Sequence, residues 1–270
     1  MHDYLHGYSE REARRLSEQS EILEALLHGD VSYPAGSRVL EAGCGVGAQT
    51  RILARKSSGA AFVSVDISAG SLAQAAAAIR SLGLNNVTFL QADLMRLEFE
   101  PESFDHLFVC FVLEHLPDPM GALFALKALL RPGGTITAIE GDHGSCFWHP
   151  ETADSLQAWA AMVASQKALG HDPLIGRRLY PLLLEAGFAA VEVAPRWVYA
   201  DGKDPVLLDG VLNKIIVPMV ETARRRSTEA GLIDAERFDR GVRDLVRAGA
   251  PPDGTFFYTW FRARAVKGAF

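Results

Sequence analysis

Three short segments of the chain carry residues fit to hold a ligand. Val39-Leu40-Glu41-Ala42-Gly43-Cys44-Gly45-Val46-Gly47 places glycines at a strand-to-helix turn, where backbone must approach a ligand closely. The pattern is GxGxG rather than the GxGxxG of dinucleotide binders, and taken alone a glycine turn also serves bare packing. Asp66 ends the next apolar segment, about 20 residues on, a spacing at which a carboxylate can accept bonds from ribose hydroxyls. It reads equally as an ordinary helix cap shared with Ser68. Gln91-Ala92-Asp93 follows the third apolar segment, where an acidic side chain could accept the adenine amino group or stand in a solvated turn. All three marks follow successive strands, so they fall on one sheet edge. That coincidence is more specific than any one of them.

Proton-transfer chemistry has two candidate segments. Glu114-His115 follows the fourth strand and Glu140-Gly141-Asp142-His143 follows the fifth. His143 is the best general base, since imidazole titrates near neutrality and Asp142 or Glu140 could orient it. A loop histidine bonded to backbone is the plainer alternative. His115 caps a pocket or plays a structural part. Glu140, Asp142, His143 and His149 do not match a strong metal-ligand spacing, and no metal is expected. Phe147, Trp148, Trp159, Trp197, Tyr199, Phe257, Tyr258 and Trp260 are mostly core, with some free to line an apolar acceptor pocket. Arg177 and Arg178 read as a solvated helix start or as an anion contact.

The elements that must position these groups alternate regularly. Strands are expected at Arg38–Ala42, Ala61–Asp66, Val87–Gln91, 104–111 and 135–139, with helices at Thr50–Lys56, 69–82 and 120–130, the last stopped by Pro132-Gly133-Gly134. Short apolar strands alternating with helices predict an α/β fold, a Rossmann-like, mostly parallel sheet covered on both faces. Further helices are expected at 150–169, Leu179–Glu185, 206–226 and 234–248, and strands at 191–199 and 255–266, making seven strands. The first thirty residues read as helix. The chain reads as a single domain, 1–270, with a helical cap at 1–35, a cofactor-binding core at 36–141 and helical lid insertions at 142–175 and 200–250.

Composition narrows the partners. The chain has 270 residues, 49% apolar, enough for one sizeable core. No stretch approaches the roughly 20 apolar residues that span a bilayer, and the polar N-terminus has no signal-like core, so a cytoplasmic protein with no membrane partner is expected. A net charge of −6 argues against a nucleic-acid partner, and Arg224-Arg225-Arg226 lies among acidic neighbours as a solvated helix face. Cys44, Cys110 and Cys146 form no CxxC pair, so neither a disulfide framework nor a zinc site is indicated.

Together these segments resemble the class I S-adenosylmethionine-dependent methyltransferases, especially small-molecule enzymes of the UbiE type. The matching runs are Glu41 to Gly47, Val65-Asp66-Ile67-Ser68, Gln91-Ala92-Asp93, Phe104-Asp105-His106-Leu107, Val112-Leu113-Glu114-His115-Leu116 and Leu130-Arg131-Pro132-Gly133-Gly134. The resemblance implies S-adenosyl-L-methionine as cofactor. It puts Glu41, Ala42, Gly43, Cys44, Gly45 and Gly47 at the methionine end, Asp66 on the ribose, and Ile67, Ala92, Asp93 and Leu94 about the adenine. Backbone around Cys110 and Phe111 would face the sulfonium side, and His115 would cap the cofactor pocket. Tyr8 and Arg15 would fold over the cofactor, Arg15 pairing with its carboxylate unless it stands on a solvated helix face. The cofactor has no phosphates, so the turn needs no lysine. The acceptor would be a small molecule methylated at O, N or C, positioned for in-line displacement, and a homodimer is allowed. Alternatives are an NAD-dependent oxidoreductase and a non-catalytic cofactor-binding module.

Overall fold

A computed structural model gives the fold for residues 10–250 and 252–268. Tyr8 lies outside the described residues. In chain order the helices are α1 (Glu10–Ile22), α2 (Thr50–Lys56), α3 (Ala69–Ser81), α4 (Pro119–Leu129), α5 (Ala153–Ala168), α6 (Leu179–Glu185), α7 (Pro205–Asp209), α8 (Val217–Thr222), α9 (Arg224–Glu229) and α10 (Ala235–Ala248). The strands are β1 (Arg38–Ala42), β2 (Ala61–Asp66), β3 (Val87–Gln91), β4 (Phe104–Cys110), β5 (Leu130–His149), β6 (Phe188–Asp201) and β7 (Thr255–Lys267). The described residues divide into two compact units: a core unit of 24–141, 174–196 and 260–268, and a second unit of 10–23, 142–173, 197–250 and 252–259.

In the core unit, β1, β2, β3, β4 and β5 pair in parallel, and the full sheet order is β3-β2-β1-β4-β5-β7-β6. The chain runs outward from β1 to β3, then returns to the other side of β1 to lay down β4. That reversal opens a crevice beyond the carboxyl ends of β1 and β4, the place where open α/β sheets bind ligands. The strands are apolar runs because both faces are covered. Leu40, Val65, Leu107, Val109, Ile136 and Ala138 pack with Leu123, Leu126, Leu182 and Leu183 of α4 and α6 in one core. Helix starts are written locally: the Ser68 side chain accepts from Ser71 N at the head of α3, and Asp118 accepts from Gly121 N ahead of Pro119.

Pro132-Gly133-Gly134 does not separate α4 from the fifth strand. β5 already starts at Leu130, and the segment forms a bulge within it. Phe104 pairs with Leu130 but His106 pairs with Thr135, and Gly133 takes φ +78° to absorb the extra residues. β5 also continues beyond Glu140 to His149.

In the second unit, the helix expected over 206–226 is broken into α7, a π-helical stretch Gly210–Ile216, α8 and α9. Pro218 has no N–H to give the preceding turn, and Val217 N instead donates to Leu212 O, one residue wider than an α-helical bond. Thr152 and Ser155 form a reciprocal cap at the head of α5. α5 and α10 pack directly, with Gly241 so close that a Cβ there would stand 2.3 Å from Asp154 O.

Candidate active site

The glycine turn connects β1 to α2 at the reversal point. Gly43, Gly45 and Gly47 all take left-handed φ values of +73°, +52° and +76°. Two of them are also forced by neighbours. A Cβ on Gly43 would meet Val112 Cγ2 at 2.5 Å, and one on Gly47 would meet Ala75 Cβ at 2.9 Å. Gly45 differs: a Cβ there would meet nothing within 4 Å among the described residues. Its exposed backbone face is therefore open to a ligand.

The carboxylates at the three strand ends have distinct partners. Asp66 Oδ2 accepts from Gly45 N at 2.8 Å, and Oδ1 accepts from Ser68 N at 2.9 Å. One side chain thus ties the glycine turn to the residue that caps α3; the cap itself is Ser68, which accepts from Ser71 N, and not Asp66. A carboxylate has about four acceptor sites, so two bonds leave it able to meet hydroxyls. Asp93 Oδ1 accepts from Met95 N at 2.9 Å, and Leu94 behind it is buried. Ala92 N donates to Asp66 O at 3.0 Å, tying the second and third marks together. Between them Ile67 remains 43% exposed, an apolar side chain with a face left uncovered beside two carboxylates.

Glu41 is buried, and its Oε2 accepts from Thr50 Oγ1 at 2.7 Å and Ser64 Oγ at 2.6 Å. Burial pushes its carboxyl up to about 7, against the pull of those two hydroxyls. It braces β1 against α2 and β2 from behind the turn. Ala42 and Cys44 are buried with it, and the N–H groups of Gly43 and Cys44 both donate to Val65 O at 2.9 Å.

At the end of β4 the buried Cys110 is followed by Phe111 at φ +58°, an uncommon conformation for a bulky residue that costs about 1–3 kcal/mol. Phe111 N donates to Ile139 O at 2.9 Å, which holds the strain in place. In the following turn, His115 Nε2 lies 3.5 Å from Glu114 Oε1. Glu140, fully buried on β5, accepts from Val112 N at 3.1 Å and Leu113 N at 2.8 Å through Oε1.

The other expected residues belong to the second unit. His143 is buried, its Nδ1 2.6 Å from the Tyr258 hydroxyl. Its backbone is clamped on both sides: His143 N donates to Pro173 O at 2.9 Å, and Trp159 Nε1 donates to His143 O at 3.0 Å. Burial lowers the His143 imidazole to about 4, with Arg15 pushing the same way and Asp142 opposing. The ring is thus neutral well below pH 7, not poised at neutrality as the sequence suggested. Asp142 is buried, with Oδ1 accepting from Gly144 N at 2.9 Å. Arg15 is not on a solvated face. It is 5% exposed, donates twice to Glu12 at 2.6 and 2.8 Å, and once to Gln19 Oε1 at 2.7 Å. Sequence reading placed Tyr258 among the mostly core aromatics without pairing it with His143; its signal was its place in the alternating Phe256, Tyr258, Trp260 of β7. It also left unseen that one oxygen of Glu140 is buried without a hydrogen-bond partner among the described residues. Among the described residues no group of three His, Cys, Asp or Glu stands where it could hold a metal ion, and no helix is long and apolar enough to cross a membrane.

Residues 40–138, the segment that bears the turn and all three strand-end marks, match the family model described as a methyltransferase domain. That segment is a methyltransferase domain by its match to the family model. This methyltransferase domain is similar to methyltransferase GfsG of Streptomyces halstedii, 35% identical over 126 residues, covering 46% of this chain and 45% of that protein. A longer match is to a Synechococcus protein of uncharacterized function, 39% identical over 199 residues, covering 72% of this chain and 47% of that one. The chain thus spans about half the length of these curated relatives. Among solved structures, phosphoethanolamine N-methyltransferase 2 of Haemonchus contortus superposes with a TM-score of 0.56 at 20% identity, covering 93% of this chain and 52% of that one. At that identity the likeness is one of fold.

Proposed function

We propose that this protein transfers a methyl group from S-adenosylmethionine to a small molecule. The observation that carries the reading is Gly45. It is a left-handed glycine with open space before it, and its N–H is tied to Asp66 at the point where the sheet order reverses. The Haemonchus contortus structure contains S-adenosylhomocysteine, the demethylated form of this donor.

The residues fit the donor's chemistry. The Gly43–Gly47 turn offers close backbone approach for the amino-acid end, Asp66 offers acceptors for ribose hydroxyls, and Ile67, Ala92, Asp93 and Leu94 flank the adenine. Cys110 and Phe111, with His115, stand at the sulfonium side, where carboxylates and carbonyls suit a cation. Tyr8 and Arg15 complete the proposed set. Bound there, the donor supplies an electrophilic methyl group on a sulfonium. The chain's own part is to orient the acceptor, exclude water and receive any proton the acceptor loses. His143, held neutral by burial, is the proposed acceptor of that proton. Asp142 steadies the resulting charge, and Tyr258 fixes the ring through Nδ1.

The methyl acceptor is a small molecule, not a nucleic acid or a membrane. The net charge of −6 and the pairing of Arg224 with Asp239 at 2.7 and 2.8 Å support this. A cytoplasmic setting, where thiols stay reduced, suits three free cysteines, and a homodimer is an allowed assembly. The regions 142–175 and 200–250 are proposed to act as the lid. The test is incubation with methyl-labelled S-adenosylmethionine and a metabolite extract, followed by product identification. Label in a small-molecule product is expected, and absence of donor binding to the pure protein would end the proposal.

A further inference from the structure

Three buried carboxylates bear on one thiol: Glu41 in β1, Glu114 in the turn after β4, and Glu140 midway along β5. Glu41, Glu114 and Glu140 are 2%, 6% and 0% exposed. All three act on the Cys110 thiol, which burial, then Glu140, Glu41 and Glu114 hold well above its ordinary range. Glu41 has its charge solvated by Thr50 and Ser64. Glu114 has His115 beside it. Glu140 is the most deeply buried of the three. Its Oε1 takes two backbone N–H groups, but its Oε2 is buried with no hydrogen-bond partner among the described residues.

A buried oxygen without a donor costs roughly 1–3 kcal/mol, and more when the group is charged. Among the described residues, the groups acting on Glu140 favour its protonated form on balance. Burial and then the like charge of Glu114 push its carboxyl well above the carboxylate range, while the N–H groups of Leu113, Val112 and Glu114 pull it back. Gly176 abuts the Glu140 carbonyl. On β7, Arg262 is engaged by Asp30. Such a site is relieved in one of two ways: a proton on the carboxyl, or a cation brought from outside.

We infer that Glu140 matches its protonation to the charge of the bound ligand, keeping a proton when no cation lies by these carboxylates and releasing it when a sulfonium binds. This rests on the methyl-donor reading above. The carboxyl O–H bond breaks, its proton passes to buffer, and the electron pair stays on the carboxylate. The demethylated product is a neutral thioether, so with it bound the carboxyl is protonated again. Glu140 thereby helps the core distinguish donor from product, and does so more strongly as pH rises.

The test is titration calorimetry of the whole protein with S-adenosylmethionine and with S-adenosylhomocysteine, each in two buffers of different ionisation enthalpy between about pH 6 and 8. The expected result is greater proton release with the donor, by a difference approaching one proton. By linkage, the preference for donor over product then rises by up to about tenfold per pH unit. Glu140→Gln should still bind both ligands but lose that difference. Should the variant fail to fold, the wild-type proton counts decide alone. Equal proton release for the two ligands in the wild type overturns the inference, as does a difference that survives in folded Glu140→Gln. If the wild type binds neither ligand, the methyl-donor reading falls first, and the inference with it.

Discussion

Replacing Gly45 and Gly43 by alanine should separate ligand binding from folding. Both positions are left-handed, so either alanine carries about 1–2 kcal/mol of backbone strain. At Gly45 that is the whole folding cost, because the new methyl meets no protein atom within 4 Å. A loss of a few degrees in Tm is expected. At Gly43 the methyl would stand 2.5 Å from Val112 Cγ2, adding about 1–3 kcal/mol of overpacking. Binding should rank the other way relative to stability. The open face of Gly45 is where the donor's amino-acid end must come close, so Gly45→Ala should weaken S-adenosylmethionine binding at least about tenfold, or about 1.4 kcal/mol. Thermal melts and calorimetric titration of both variants measure the two quantities. A folded Gly45→Ala that binds the donor as tightly as wild type would refute the placement of the ligand against this turn. Equal destabilisation by the two variants would refute the packing argument.

Other outcomes follow from single contacts. His28 is fully buried and burial lowers its imidazole to about 4, so in the unfolded chain it gains a proton near pH 6.5 that the folded chain refuses. Its contribution is complete above pH 6.5 and is lost as pH falls towards 4, up to about 3 kcal/mol. Glu41, raised to about 7, slopes the opposite way, so the effect is read in denaturant melts as the pH-dependent difference between wild type and His28→Gln. Tyr258→Phe removes the hydroxyl 2.6 Å from His143 Nδ1. It should cost about 1–3 kcal/mol and slow labelled methyl transfer while leaving the donor Kd unchanged. Asn86→Ala removes an amide whose Nδ2 reaches Ala54 O, Ser57 O and Ala60 O at 3.1, 3.2 and 3.1 Å. It should cost about 1–3 kcal/mol in a melt with no change in ligand binding.

Much of the core was legible because its signals are local. Apolar runs bounded by glycine and cap residues gave the bounds of β1, β2, β3 and α2 as the structure has them. Misreadings arose where a local signal was overruled by pairing. Pro132-Gly133-Gly134 has the composition of a terminator, yet β4 holds both of its flanks, so it became a bulge. Pro218 sits in a pattern that is helical throughout, and only the widened bond from Val217 reveals the break. In the site, Asp66 was visible from its spacing, but its bond to Gly45 was not, because nothing in a sequence states which donor a carboxylate meets. Tyr258 was legible as a core or pocket aromatic, but its bond to His143 was not, because the two lie 115 positions apart. Arg15 looked like a surface cation because its neutralising partner, Glu12, is on the same helix and leaves no unusual pattern.

The bonds from Gly45 and Ser68 to Asp66 have a kinetic meaning as well. A glycine-rich segment free to wander would have to be frozen each time a nucleoside arrived, and every arrival would carry that entropic penalty. Here the ordering is completed once, as the chain folds. Capture of the ligand should then be fast and nearly independent of loop motion, with residence time, not arrival rate, carrying the differences in affinity between one nucleoside and another.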